Sequence, residues 1–194
     1  MPGKFMQELK DRILSEGVVI GDSALKVDSF LNHQLDPAFT MRMGQELAAC
    51  FADAGITKVL TVEASGIAVA LATALPLGVP VVFAKKRKAI TQDGETYTAE
   101  VFSFTRKESV QISVTRRFLA ERDVVLIVDD FLAHGEALKG LVSIVAQAGA
   151  RLAGAGIVIE KCFQGGGVAL RSQGIRIESL AAIESMGYEG IRFL

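Results

Sequence analysis

Four segments of the chain, KVLTV, VPVVF, VVLIV and GIVIE, carry apolar residues at consecutive positions. A strand with one buried face alternates, whereas a strand buried on both faces does not, and strands of the second kind belong to parallel sheets covered by helices. Helical patterns separate them. In residues 36–55, Asp36 stands as N-cap, Pro37 at the first helical position and Gly55 beyond the end. A second helix is expected from Ile67 to Leu75, stopped by Pro76, before a strand at Val79 to Phe83. A third should run from about Gly135 to Ala148, ended by Gly149, and GGGVALRSQGIRIESLAAI adds one more helix and strand. The expectation is an α/β fold: a mostly parallel central sheet flanked by helices, with right-handed crossovers. TYTAEVFSFTRKESVQISVT departs from this, because Val110, Ile112 and Val114 alternate with polar residues after a polar turn at Arg106 to Glu108. It reads as an antiparallel hairpin.

IAVALATALPLGVPVVFA (67–84) is nearly long enough to cross a bilayer, but Pro76, Gly78 and Pro80 divide it into a helix, a turn and a strand. No membrane span is expected. The opening residues place Phe5, Leu9 and Ile13 among charges, as an amphipathic helix does and a secretory leader does not. With 21 Lys+Arg against 22 Asp+Glu, there is no overall positive field to gather nucleic acid, so the partner is expected to be small. Cys50 and Cys162 lack disulfide-framework or zinc spacing and read as buried thiols of a cytoplasmic protein. A chain of 194 residues fits one domain, 1–194.

Ligands of such sheets bind outside the C-terminal strand ends, so Glu63 to Gly66, Asp129 to Gly135 and Glu160 to Gln164 are the loops of interest. In VVLIVDDFLAHGEAL (124–138) a buried strand ends on two adjacent carboxylates. Burial disfavours each charge and proximity disfavours the pair, so the two acids call for hydroxyls or a cation from outside the chain. The residues that follow lead backbone N–H groups to a helix start, which favours a phosphate. A sugar carrying a phosphate would satisfy both.

This stretch resembles the signature of the type I phosphoribosyltransferases. ALKVDSFLNHQLDP, VEASGIAVA, GVPVVFAKKRKA and GIVIEKCFQ extend the likeness over nearly the whole chain and are most similar to family members acting on xanthine. The resemblance implies that fold, with a small hood from about 1–36 and a hairpin lid at about 85–115. It implies transfer of the phosphoribosyl group of phosphoribosyl pyrophosphate (PRPP), with Mg²⁺ bound to that substrate, to N9 of xanthine in a cytoplasmic homodimer. Asp129 and Asp130 would contact the ribose hydroxyls, and Ala133, His134, Gly135, Glu136 and Ala137 would bind the 5-phosphate. Leu25, Asn32, Lys161 and Phe131 would hold the base, Asn32 at the 2-oxo group and Lys161 at O6, with Phe163 a further candidate for its face. Ala64, Ser65, Gly66 and Lys85 or a neighbour would meet pyrophosphate. Two departures from the family pattern stand out: His134 replaces the usual Thr, Ser or Asn, and Ala133 stands where related enzymes often carry an acid that acts on the base. Two alternatives remain open: a guanine or hypoxanthine enzyme, and a PRPP-binding regulator without catalysis.

Overall fold

The computed structural model describes residues 2–87, 95–103 and 108–194. Helix α1 (Pro2–Glu16) leads into a two-stranded ribbon, β1 (Val18–Ile20) and β2 (Ala24–Lys26), and a π-helical turn at Asp28–Asn32. There follow α2 (Pro37–Cys50), β3 (Lys58–Val62), α3 (Gly66–Leu77) and β4 (Val81–Arg87). The edge strands β5 (Thr96–Ser103) and β6 (Glu108–Thr115) come next. The second half holds β7 (Val124–Leu132), α4 (Glu136–Gln147), β8 (Arg151–Lys161), α5 (Gly166–Ser172), β9 (Ile177–Gly187) and β10 (Gly190–Phe193). Eight strands form one sheet in the order β10-β9-β8-β7-β3-β4-β6-β5. The run from β9 to β4 is parallel, and β10, β6 and β5 are antiparallel additions at the edges. From the neighbours β3 and β7 the two crossovers run in opposite directions, to β4 through α3 and to β8 through α4. That reversal is the switch point at which such sheets open a crevice.

Consecutive apolar residues in β7 serve two cores. Leu126 and Val128 pack with α1, α2, α3 and the hood, while Val125 and Ile127 pack with α4 and the β5–β6 hairpin. Each fully buried residue of this size contributes about 1.5–3 kcal/mol. The helix starting at Pro37 forms as its sequence demands, with the Asp36 carboxylate accepting from the Phe39 N–H at 3.0 Å. Arg12 on α1 meets Asp36 at 2.8 Å and lies 4.7 Å from the rings of both Phe30 and Phe39, tying the first helix to the hood and to α2.

Several expectations need correction. Strand β7 does not stop before the acid pair but continues through it to Leu132, because β8 keeps pairing with it as far as Glu160. Pro76 lies inside the last turn of α3, which ends at Gly78 in the left-handed region (φ 67°). The next strand starts at Val81 and takes in Lys85, Lys86 and Arg87, whose backbones pair with β6. The hairpin therefore continues the sheet and packs on α4, where Gln147 bonds both the N–H and the C=O of Thr98. Its turn at Arg106 and Lys107, and the lid residues 88–94, lie outside the described residues, as does the side chain of Phe5. Cys50 is exposed and Cys162 half-buried, so neither is the buried thiol expected. The final strand β10 was not anticipated. Among the described residues no helix is long and apolar enough to cross a membrane.

Candidate active site

At the C-terminal ends of β3, β7 and β8 a cavity of about 520 Å³ opens, lined by Asp129, Phe131, residues 133–137, Lys86, Lys161, Ser23 and Gln164, with an apolar wall from the hairpin that includes Val101 and Ile112. Asp129 and Asp130 are each only 7% exposed, and of the two Asp129 lines the cavity whereas Asp130 does not. The Asp130 N–H donates to Asp129 Oδ1 at 3.0 Å, and the Asn32 side-chain amide donates to Asp130 Oδ2 at 2.6 Å across 98 residues of sequence. Burial first, then the charge of Asp130 and its side-chain hydrogen bond, push the Asp129 carboxyl well above its ordinary value, and the Asp130 backbone N–H and Lys86 oppose them. Adjacent hydroxyl donors would act in the same sense as Lys86, because hydrogen bonds to a carboxylate favour its charged form.

Beyond the acids, Gly135 takes φ 83° and ψ 9°, a left-handed conformation that costs glycine little, and opens α4 from there. Helix α4 is amphipathic, with Leu138, Leu141, Ile144 and Val145 buried, so its start is held against the sheet and aimed into the cavity. Ala133, His134, Gly135, Glu136 and Ala137 all line the wall. The one carboxylate among them, on Glu136, is paired with Lys139 at 2.6 Å. An anion at the helix start would therefore meet backbone N–H groups and the positive end of the helix dipole beside a carboxylate whose charge is countered.

On the opposite side, Lys161 ends β8 with its ammonium 2.8 Å from the Ser23 carbonyl and 5.3 Å from the centroid of the Phe131 ring. Burial lowers its pKa. The hood reaches the cavity through Ser23 and Ala24, whereas Leu25 is turned into the core. The reason is the β1–β2 ladder, which pairs Leu25 with Val19 and alternates it against the exposed Ala24 and Lys26. Leu25 therefore does not line the wall as expected. Asn32 meets Asp130 and not the cavity lining, and Phe163 is 40% exposed outside it.

The turn between β3 and α3 holds a cis peptide at Glu63–Ala64, then Ser65 and Gly66. Gly66 has no room for a side chain: a Cβ there would run into Thr61 Oγ1 and lie 2.7 Å from Asp129 Oδ1. Glycine thus lets the turn approach the acid pair. Ala64 and Ser65 are exposed and neither lines the wall, and of the two neighbouring lysines the cavity receives Lys86 and not Lys85. Successive strand residues face opposite sides, so an error of one residue selects the wrong lysine. Ser23 carries no signal in the sequence beyond being polar, and Glu160 and Gln164, the two ends of a loop marked from the sequence, had no role assigned there.

A phosphoribosyl transferase domain model matches residues 35–164. A xanthine phosphoribosyltransferase of Heliobacterium modesticaldum is 72% identical over 93% of this chain and 96% of its own length. Those of Moorella thermoacetica (60% identical, 96% of this chain and 95% of its own) and Brevibacillus brevis (58% identical, 97% and 96%) are also similar. Among solved structures, APRTase from Giardia lamblia complexed with 9-deazaadenine superposes with a TM-score of 0.75 at 23% identity, covering 90% of this chain and 97% of that one. An adenine phosphoribosyltransferase from Thermoanaerobacter pseudethanolicus gives 0.73 at 21%, covering 91% and 99%. At such identities these two share the fold.

Proposed function

The chain belongs to the phosphoribosyltransferase family, and from that premise we propose that it transfers the 5-phosphoribosyl group of PRPP to N9 of xanthine, giving xanthosine 5-monophosphate (XMP) and pyrophosphate. The relatives named for xanthine cover nearly the whole chain and supply the base. The observation that carries the chemistry is the single cavity in which Asp129, the start of α4 and Lys161 meet.

Asp129 and Asp130 accept hydrogen bonds from the ribose hydroxyls, while residues 133–137 hold the 5-phosphate by backbone N–H groups. With both ends fixed, C1 of the sugar faces the base. The bond from C1 to the pyrophosphate oxygen breaks with its electrons leaving on pyrophosphate, and the N9 lone pair forms the new bond. Positive charge develops on the ribose between these events, and the two carboxylates favour it. Lys86, across from Asp129, places an ammonium where the departing oxygens gather negative charge. Lys161 has only donors to offer, so it takes a carbonyl such as O6 and disfavours the amino group of adenine. With Ala133 in the phosphate loop, the xanthine proton leaves through water or is lost before the base binds.

Magnesium enters with PRPP. Such an ion would keep several waters and take one or two carboxylates plus substrate oxygens. Asp129 and Asp130 would be the carboxylates available to it. When bound, it offsets charge on the leaving diphosphate. The working enzyme is read as a single-domain homodimer in the cytoplasm. Leu71 and Leu75, 62% and 67% exposed on α3, support a covered face, and two free cysteines suit a reducing compartment.

An ultraviolet assay of XMP formation from xanthine and Mg-PRPP tests the reading. The variant carrying both Asp129→Asn and Asp130→Asn should fold and turn over about 10²-fold more slowly, or worse. Near-normal turnover in it would remove the acid pair from the reaction.

A further inference from the structure

We infer that Arg171 is a positioning residue for both halves of the site, setting Lys161 through Glu160 and the phosphate loop through the start of α5. The inference rests on the roles proposed above for Lys161 and residues 133–137. Neither Arg171 nor Glu160 lines the cavity.

Glu160 is 1% exposed and follows the apolar run of residues 152–159 in β8. A carboxylate so placed persists only when its oxygens are paired. Arg171 supplies a two-pronged match, Nη1 to Oε1 at 2.6 Å and Nη2 to Oε2 at 2.7 Å, and the Ser179 hydroxyl adds a third bond at 2.5 Å. Arg171 also donates to the Ile177 carbonyl at 3.3 Å. Residues of β8, α5 and β9 thus converge on one carboxylate, and the very next residue is Lys161.

The same short helix backs the phosphate loop. The Gly166 N–H donates to the Ala133 carbonyl at 3.1 Å. A Cβ at Gly166 would strike Ala133 O, His134 C and Gly135 N, and one at Gly167 would strike Glu160 Oε1. Two successive glycines therefore let α5 lie directly against the loop and against the buried carboxylate. Leu170, 1% exposed, closes the contact, since its Cδ1 lies 3.0 Å from where a Gly135 Cβ would be. Arg171 follows Leu170 and fastens this helix to β8. Loosening it frees α5 to shift, and both Lys161 and the loop that α5 touches shift with it.

The test compares Arg171→Gln, Arg171→Lys and Ser179→Ala in steady-state assays with xanthine, guanine and adenine and with PRPP varied. Melting temperature is followed alongside. Arg171→Gln should raise KM for both xanthine and PRPP, reaching about 10²-fold if the groups are displaced by about 1 Å, and narrow the preference for xanthine over adenine. Arg171→Lys keeps the charge but not the fork and should fall between it and wild type. Ser179→Ala leaves the ion pair intact and should shift the same quantities less. A folded Arg171→Gln protein with a lowered melting temperature and unchanged KM values and base preference would overturn the inference. Should the Arg171 variants fail to fold, unchanged KM values in Ser179→Ala would overturn it. A fault in the function reading would appear separately, as a wild type that makes no XMP.

Discussion

Asp129→Asn should make the protein more stable and the enzyme worse, with a particular dependence on pH. The 7% exposed Asp129 carboxylate is disfavoured by burial and by the neighbouring charge of Asp130, while its Oδ1 accepts from the Asp130 N–H at 3.0 Å. Asparagine has the same shape. Its oxygen keeps that bond and its amide donates to Asp130 as a protonated carboxyl would. The variant therefore loses one buried charge without opening a hole. Two unit charges 4 Å apart repel by about 4 kcal/mol at a near-surface dielectric of about 20, and relaxation leaves a net gain of about 1–2 kcal/mol, as usual when such a feature is relieved. In a chain of this size each kcal/mol moves the melting temperature by about 2–4 °C. Because the folded-state pKa is raised, at pH values between the unfolded and the folded one the native wild type holds a proton that the unfolded chain has released. Wild-type stability from this group is full below the unfolded value and declines as pH rises through the folded one. The advantage of the Asp129→Asn variant should thus be large at neutral pH and shrink on acidification. Thermal melts of both proteins across the acidic to neutral range, with matched XMP assays, check this. An asparagine variant less stable at neutral pH, or a stability difference indifferent to pH, would refute the reasoning.

Lys161→Ala should lower kcat/KM for xanthine by about 10- to 100-fold, the size of a lost hydrogen bond from a charged donor, and leave adenine nearly unaffected; equal loss with every base would instead assign the lysine to the fold. Gly66→Ala places a methyl against Thr61 and Asp129 and should cost about 1–3 kcal/mol together with a higher KM for PRPP, read by thermal melts and kinetics. Asp123, 5% exposed and away from the cavity, accepts from Lys58 and the Ala120 N–H at 2.8 Å each; although burial acts to raise its pKa, Lys58 and Ala120 hold it below the ordinary value. Its stabilisation is present above the unfolded value and lost as pH falls through the folded one; Asp123→Ala should cost about 3 kcal/mol in denaturant titrations with KM unchanged.

The acid pair was legible because two carboxylates after VVLIV have no reason to be there in a plain core strand, and Gly135 was legible as the approximate start of the helix that Gly149 ends. What escaped was set by partners far away in sequence. The choice between Lys85 and Lys86 depends on the register of β4 against β6, fixed by pairs such as Lys86 with Ile112. Leu25 looked like a cover for the base, but its pairing with Val19 sends it inward and leaves Ser23 and Ala24 at the cavity. Asn32 shows the same limit: its sequence neighbours say nothing of Asp130, to which it bonds. Glu160 carried the same kind of signal as Asp129, an acid closing an apolar strand, yet its answer lay within the chain at Arg171.

Competition among bases is the sharpest single measurement. With Mg-PRPP saturating, kcat/KM measured separately for xanthine, guanine, hypoxanthine and adenine should rank xanthine first and adenine last, and Lys161→Ala should collapse the gap between those two. Adenine consumed as fast as xanthine by the wild type, or no pyrophosphate released with any of the four, would contradict the account.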